Sequence, residues 1–249
     1  MISKPIVMTI AGFDPSGCAG LLTDIKTFEG NNVYGVAVCT ANTCQNDVEF
    51  VAPNWVPVGQ IIDQYRVIKQ RFNIDFIKIG VVENLQVLQA IIETLKIDNP
   101  TVRIIWDPIL KASAGYEFHP EVTLESFEEI CRKVYLITPN LDEITALKPD
   151  MTSFEAGCYL SKMCNVLIKG GHSVGKDATD VLFTQYDTNY FRGERIGGGK
   201  RGTGCVLSAA ITANLAMGKS LPNACIAAKN YVISYLKSND TLIGYHKYH

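Results

Sequence analysis

A glycine-rich loop that ends in a cysteine is the part of the chain best suited to chemistry. Residues 197–205 read GGGKRGTGC, and an apolar, alanine-rich helix is predicted to follow over 203–217. In such a turn, successive backbone N–H groups and the positive end of the helix dipole bind anions, most often phosphate. A tight strand-to-helix turn could also need these glycines only for their backbone angles. The chain has no G-x-x-x-x-G-K-[ST] element, so the loop is not a Walker P-loop.

The cysteine, Cys205, stands at the first turn of that predicted helix. Its residue type leaves four roles open: a metal ligand, a covalent nucleophile, a proton acceptor, or a small core residue beneath the loop. Because a helix N-terminus and nearby cations stabilise a thiolate, we expect the pKa of this thiol to be lowered. A thiol of that kind could accept the proton of a substrate hydroxyl.

Two carboxylates at predicted strand ends could hold a divalent cation. Asp107 follows the apolar run RIIW, and Glu143 lies in PNLDE after another strand. Magnesium favours such sparse carboxylate sites and keeps several waters. Asn140 and Glu143 lie three residues apart, so they are equally suited to a capping box on a helix beginning at Leu141.

Two further polar residues follow the first two predicted strands. Asp24 lies on a helix face opposite Leu21, Ile25 and Phe28, where it is either a site residue or a solvated acid. Gln45 could bind a flat polar heterocycle through its amide, or it could be ordinary loop polarity.

The elements that must position these residues alternate along the chain. Apolar strand candidates cover 6–12, 34–43, 75–82, 103–110, 135–140, 165–171 and 180–187, with amphipathic helical runs between them. This alternation predicts one α/β doubly wound domain over 1–249 with a mostly parallel sheet. A turn near 187–189 predicts an antiparallel hairpin at the sheet edge, followed by helices over 203–217 and 220–237. Ligands of open α/β sheets bind at the carboxyl ends of the strands, where six polar loops of this chain converge.

Composition argues against several classes of protein. The net charge is −2, and no basic stretch is longer than Lys200-Arg201, so nucleic acid is not an expected partner. No run approaches the roughly 18 apolar residues of a membrane helix, and no signal-peptide layout is visible. The eight cysteines include no C-x-x-C pair and several lie in apolar runs, which predicts free thiols in a cytoplasmic protein.

Taken together, seven blocks resemble the hydroxymethylpyrimidine/phosphomethylpyrimidine kinases of thiamine biosynthesis, which belong to the ribokinase-like superfamily. The blocks occur in order over nearly the whole chain: TIAGFDPSGCAGLLTDIKTF, TANTCQND, IKIGVV, DPIL, LITPNLDE, VLIKGGH and GTGCVLSAAITANLAMGKSL. The resemblance implies a ribokinase-like three-layer fold and the use of ATP and Mg²⁺. It implies phosphorylation of the hydroxymethyl group of 4-amino-5-hydroxymethyl-2-methylpyrimidine, then of the monophosphate. It also implies a homodimer.

Matching positions carry the family's site roles onto this sequence. The implied anion hole consists of Gly202, Thr203, Gly204 and the amide of Cys205. The implied base is the Cys205 thiol, and no histidine adjoins it that would favour a covalent nucleophile. Phosphate contacts are implied for Lys169 and Thr203. A magnesium site is implied for Asp107, Asn140 and Glu143. Pyrimidine contacts are implied for Ala19, Asp24 and Gln45. The adenine pocket is expected near Ala209 and Val232.

Some residues depart from the family pattern. Arg201 stands where the family commonly has histidine, and we expect it to lend charge to the γ-phosphate or to the phosphate of the monophosphate substrate. Gly-Cys-Ala-Gly, Phe13 and the segment ILKASAGYEF (109–118) also differ from the usual pattern. These differences bear on the second phosphorylation and on fine substrate choice.

Two other functions remain open. A pyridoxal kinase of the same branch would carry a similar cysteine loop, although Gln45 favours an aminopyrimidine. A catalytically idle ligand-binding protein of this fold is the other possibility. The presence of Asp107, Glu143, Lys169 and Cys205 argues against it.

Overall fold

Strands and helices alternate along the chain, as the apolar runs predict. The computed structural model describes residues 4–109, 123–172, 177–197 and 199–247. In chain order the elements are β1 (Ile6–Phe13), α1 (Gly20–Gly30), β2 (Tyr34–Gln45), β3 (Phe50–Trp55), α2 (Val58–Lys69), β4 (Phe76–Ile79), α3 (Leu85–Asp98), β5 (Arg103–Trp106), α4 (Leu124–Cys131), β6 (Leu136–Ile137), α5 (Leu141–Leu147), α6 (Ser153–Leu160), β7 (Asn165–Ile168), β8 (Asp180–Phe183), β9 (Thr188–Phe191), α7 (Thr203–Ala216) and α8 (Leu221–Leu236).

The nine described strands form one sheet in the order β3-β2-β1-β4-β5-β6-β7-β8-β9. The six strands from β2 to β7 in that order are mutually parallel. From β1, the chain adds β2 on one side of the sheet and then crosses to add β4 on the other side. Open α/β sheets bind their ligands at such a switch point in the strand order. The predicted doubly wound fold with a mostly parallel sheet is therefore confirmed.

Alternate residues of the strands pack on opposite faces of the sheet. Met8 and Ile10 of β1 join a core formed with α2 to α6, whereas Val7 packs against Phe28 of α1 and Ala209 of α7. The same alternation recurs in β5 to β8, whose other face is covered by α7 and α8. Helices on both faces explain why these strands read as nearly continuous apolar runs. The result is a three-layer α/β arrangement.

The sheet edges differ in part from the sequence prediction. The antiparallel pairing of β8 with β9 confirms the predicted edge hairpin, and β8 is also antiparallel to β7. At the other edge, β3 pairs with β2 and was not predicted. Its sequence FVAPNW contains Pro53, and proline is tolerated only on an edge strand of this kind. The predicted strand 103–110 ends at Trp106, and 110–118 lies outside the described residues.

Two simpler predictions concern cysteines and membrane spans. All eight cysteines are free thiols, and five of them are buried, as the sequence predicts. Among the described helices, none combines the length and the apolar character of a transmembrane span. The assignment of residues 1–249 to a single domain stays a prediction.

Candidate active site

A cavity of about 810 Å³ opens at the carboxyl ends of the central strands. Its walls come from all six polar loops that the sequence places at this edge, so the predicted convergence is confirmed. Eleven of the twelve predicted site residues line it: Ala19, Gln45, Asp107, Asn140, Glu143, Lys169, Arg201, Gly202, Thr203, Gly204 and Cys205. The exception is Asp24.

The glycine loop is fixed by close backbone packing. Gly202 is the N-cap of α7 and has a φ of 70°. A Cβ built on it would overlap the carbonyl oxygen of Cys18. A Cβ on Gly204 would lie 3.3 Å from the Lys169 Nζ and 3.5 Å from an Asp107 oxygen. Gly202 is therefore required by space, and α7 presents its N-terminal N–H groups next to a lysine and a carboxylate.

A tail (residues 239–247) supports this loop through hydrogen bonds, and its Leu242 also lines the cavity. Lys200 is only 9% exposed. Its ammonium donates to the Asn239 carbonyl and side-chain oxygens at 2.7 and 2.9 Å and to the Thr241 carbonyl at 2.7 Å. The backbone N–H of Arg201 donates to the Leu242 carbonyl at 2.9 Å. Lys200 thus binds the tail, for which the sequence suggested no role.

Arg201 connects the glycine loop to the loop after β2. Its Nε donates to the carbonyl of Asp47 at 2.7 Å, and its own carbonyl accepts the Tyr235 hydroxyl at 3.1 Å. Arg201 also lines the cavity. Its side chain is therefore anchored on the loop that directly follows Gln45.

Asp107, Lys169 and Glu143 form a charged group on the cavity wall. The Lys169 ammonium lies 2.8 Å from Asp107 Oδ1 and 3.8 Å from Glu143 Oε2. Thr138 donates to the same Asp107 oxygen at 3.0 Å. Burial raises the pKa of Asp107, but Lys169 and Lys78 outweigh it and hold that pKa below its usual value. Two carboxylates thus converge on a position already occupied by one cation.

Asn140 forms the capping box that the sequence left open as an alternative to a magnesium site. Its side-chain oxygen accepts the Glu143 N–H at 2.8 Å, and Glu143 Oε2 accepts the Asn140 N–H at 2.7 Å. This is the capping box of α5. The side chain of Asn140 therefore fixes Glu143, and its place in the magnesium site stays a prediction.

The expected lowering of the Cys205 pKa is wrong. Burial raises the pKa of this thiol to about 11. Lys78 and the Gly20 backbone lower it, while Asp24 and Asp107 raise it, so the nearby charges do not overcome burial. A helix N-terminus alone does not determine the ionisation of a thiol that is also removed from water.

Asp24 is neither a solvated acid nor part of the cavity wall. Its side chain is fully buried behind Lys78, with 2.7 Å between Oδ2 and the Lys78 Nζ, and it also accepts the Thr9 hydroxyl at 2.5 Å. Burial raises the pKa of Asp24, and Lys78 opposes that shift. The direct pyrimidine contact expected of Asp24 is replaced in this structure by an ion pair beneath the cavity.

The cavity lining includes both polar and apolar side chains. Gln45 Nε2, on the wall, donates to the Thr43 hydroxyl at 3.0 Å. Three apolar residues of α8 also line the cavity: Val232, Ile233 and Leu236. Of the two residues expected near the adenine pocket, Val232 therefore lines the cavity, whereas Ala209 is buried between α7 and the sheet. The adenine pocket itself stays a prediction.

Lys78 is a cavity residue that sequence reasoning did not select. The available signal was one lysine in an otherwise apolar strand, FIKI. A lysine in such a run needs a buried partner, which marks it for attention.

Comparison with known proteins identifies the family. The model of the phosphomethylpyrimidine kinase family matches residues 14–248. This chain belongs to the phosphomethylpyrimidine kinase family. A hydroxymethylpyrimidine/phosphomethylpyrimidine kinase from Aquifex aeolicus is 36% identical over 247 residues, covering 95% of this chain and 96% of that relative.

Solved structures agree with membership of the phosphomethylpyrimidine kinase family. Phosphomethylpyrimidine kinase from Clostridium difficile 630 superposes with a TM-score of 0.80 at 28% identity, covering 94% of this chain and 100% of that one. An ADP complex of Bacillus subtilis pyridoxal kinase gives 0.81 at 27% identity, covering 94% and 92%. The fold is ribokinase-like, and the family resemblance seen in the sequence is confirmed.

Proposed function

We propose that this chain transfers the γ-phosphoryl group of ATP to the hydroxymethyl group of 4-amino-5-hydroxymethyl-2-methylpyrimidine, and then phosphorylates the monophosphate. One observation carries the proposal: a single cavity joins the Gly202–Gly204 loop, the Cys205 thiol and the Asp107–Lys169 pair. Phosphoryl transfer needs just this combination of positioning, charge neutralisation and proton acceptance. Membership of the family supplies the substrate.

Each group has a role that its position supports. The N–H groups of Thr203, Gly204 and Cys205 begin α7 and would bind the transferring phosphoryl oxygens. Lys169 would neutralise phosphate charge, since its ammonium lies on the cavity wall. The Cys205 thiolate would accept the proton of the attacking hydroxymethyl group. The amide of Gln45 would read the polar edge of the pyrimidine.

Asp107 and Glu143 fit a magnesium ion. Their hard oxygen atoms converge within 3.8 Å of the Lys169 ammonium, which shows that the wall already accommodates positive charge. Few carboxylates, with waters and phosphate oxygens completing the shell, suit Mg²⁺. When bound, the ion would neutralise charge on the phosphates.

The proposed use of ATP rests on apolar residues of α8 in the cavity lining and on a structural neighbour. The Bacillus subtilis pyridoxal kinase, which shares this fold, was solved as a complex with ADP. In this chain, α8 presents Val232, Ile233 and Leu236 to the cavity, and these would pack against an adenine ring. The homodimer stays a prediction from the resemblance, and the cytoplasmic location stays a prediction from the pattern of cysteines.

Parallel assays with Mg-ATP distinguish the candidate functions. We expect turnover of hydroxymethylpyrimidine and its monophosphate to exceed that of pyridoxal, because Gln45 can hydrogen-bond an aminopyrimidine edge. Gln45→Leu should raise KM for the pyrimidine roughly tenfold to a hundredfold while KM for ATP is unchanged. The exposed Gln60→Leu is the matched control. Preferred turnover of pyridoxal would assign the chain to vitamin B6, and no turnover of either would favour a binding protein.

Arg201→Ala tests the charge beside the glycine loop. We expect KM for the monophosphate to rise about tenfold and more than KM for the unphosphorylated pyrimidine, because only the monophosphate brings an additional anion. Arg66→Ala, which removes an exposed arginine on α2, is the control. Unchanged constants for both substrates would exclude the proposed role.

A further inference from the structure

Lys78 occupies an unusual place for a charged residue. It lies in β4 between Ile77 and Ile79, which both enter the core on the α2 to α6 side of the sheet. The alternation of the strand therefore directs Lys78 to the other face, beneath α1 and α7. Its side chain is fully buried at the floor of the cavity.

The partners of Lys78 are set by the pairing of β1 with β4. Thr9 and Lys78 are neighbours in that register, so both point to the same face. Asp24 of α1 lies over them, accepting the Thr9 hydroxyl and pairing with the Lys78 ammonium at 2.7 Å. Among the described residues, Asp24 Oδ1 has no hydrogen-bond partner. The pair is thus fully enclosed but incompletely satisfied.

Helix α1 connects this ion pair to Cys205. Gly20 and Asp24 are four residues apart, one above the other on the same face of the helix. The backbone of Gly20 forms a hydrogen bond with the Cys205 thiol, and the carboxylate of Asp24 pairs with the Lys78 ammonium. Lys78 and Cys205 both line the cavity. The titratable groups whose charges act on the thiol are Lys78 on β4, Asp24 on α1, Asp107 after β5, Lys169 after β7 and Tyr235 on α8.

We propose that Lys78 is a positioning residue that stabilises the thiolate of Cys205. Asp24 limits this stabilisation by neutralising part of the positive charge of Lys78. The proposal rests on the proposed function of Cys205 as the base. In the phosphoryl transfer, the substrate O–H bond breaks as an S–H bond forms. The freed oxygen bonds to the γ-phosphorus as the bond to ADP breaks. Lys78 keeps its proton throughout.

The inverse effects of the two partners make the proposal testable. In the nucleotide-free full chain, the alkylation rate of Cys205 by iodoacetamide is followed against pH, using mass spectrometry of its peptide. Lys78→Met should lower the thiolate fraction about tenfold at a fixed pH, because the stabilising charge is lost. Asp24→Asn should raise the fraction by a similar factor, because Lys78 is then left unneutralised.

Controls separate electrostatics from damage to the fold. Lys78→Arg keeps the charge and should restore a titration near that of the wild type. Lys148→Met removes another buried lysine, whose ammonium lies 2.8 Å from a Glu128 carboxylate oxygen and which does not line the cavity. This variant should leave the Cys205 titration unchanged. Should Lys78→Met not fold, Asp24→Asn and Lys78→Arg still test the proposal. A raised thiolate fraction in Asp24→Asn with a near-wild-type titration in Lys78→Arg then supports it. Where Lys78→Met folds, its shift must be opposite to that of Asp24→Asn, and absent shifts or shifts of the same sign overturn the proposal.

Failure of the proposed function would look different. The alkylation titration needs no substrate, so it reports the Lys78–Cys205 coupling alone. A Cys205→Ala enzyme with wild-type turnover would remove Cys205 as the base even if the opposite shifts were observed. Loss of that turnover together with absent shifts would keep the base and reject the role of Lys78.

Discussion

Cys205→Ala lowers kcat by roughly 10²–10⁴-fold if the thiol accepts the substrate proton, as expected of a general base. Alanine keeps the backbone N–H of α7, so the anion site is retained and only the proton acceptor is lost. The pKa of about 11 gives a second readout. Below that pH the thiol is mostly protonated, and its thiolate fraction grows tenfold per pH unit. kcat/KM of the wild type should therefore rise between about pH 7 and pH 10, and that of the variant should not.

Cys225→Ala is the matched control for the loss of a buried thiol. Cys225 lies on α8, is 1% exposed and does not line the cavity. Its replacement should leave both the rate and the pH profile unchanged. Near-normal turnover of Cys205→Ala, with the alkaline rise retained, would transfer the role of base to another group.

Gly202→Ala should remove most activity while the fold persists. The residue has a φ of 70°, and its Cβ would lie 1.8 Å from the Cys18 carbonyl oxygen, so the loop must move by about 1 Å or more. A displacement of about 1 Å of groups that bind the transferring phosphoryl can cost about 10²-fold in rate. Steady-state kinetics with Mg-ATP and the pyrimidine measure this loss.

Gly218→Ala separates backbone strain from steric overlap. Gly218 has a φ of 85°, but nothing lies within 4 Å of its Cβ position. Its replacement should lower the free energy of unfolding by about 1–2 kcal/mol and leave kcat/KM unchanged. If thermal unfolding and kinetics showed the same changes in both variants, overlap with Cys18 would have no part in the loss.

Much of the architecture follows from local patterns in the sequence. Apolar runs with two covered faces specify the parallel strands, and the polar loops after them specify the edge where the cavity forms. The capping box of Asn140 and Glu143 can also be predicted, because it depends only on residues three apart. Each of these features depends only on residues that lie close together in the sequence.

The features that sequence reasoning missed depend on contacts between distant segments. The environment of Asp24 is determined by the register of β1 against β4, which places Lys78 beneath it. The pKa of Cys205 depends on how deeply α7 is buried, so its place at a helix N-terminus predicted the wrong sign of the shift. The strand β3 was missed because Pro53 is unusual in strands and acceptable only at an edge.

The contacts of the tail also bear on the order in which the site is completed. The Lys200 ammonium and the Arg201 backbone N–H donate to Asn239, Thr241 and Leu242, about forty residues later in the chain. A nascent chain folds from its N-terminus as it is synthesised. The sheet and the glycine loop are therefore made before the segment that anchors the loop. The loop gains these contacts only after translation has passed residue 242.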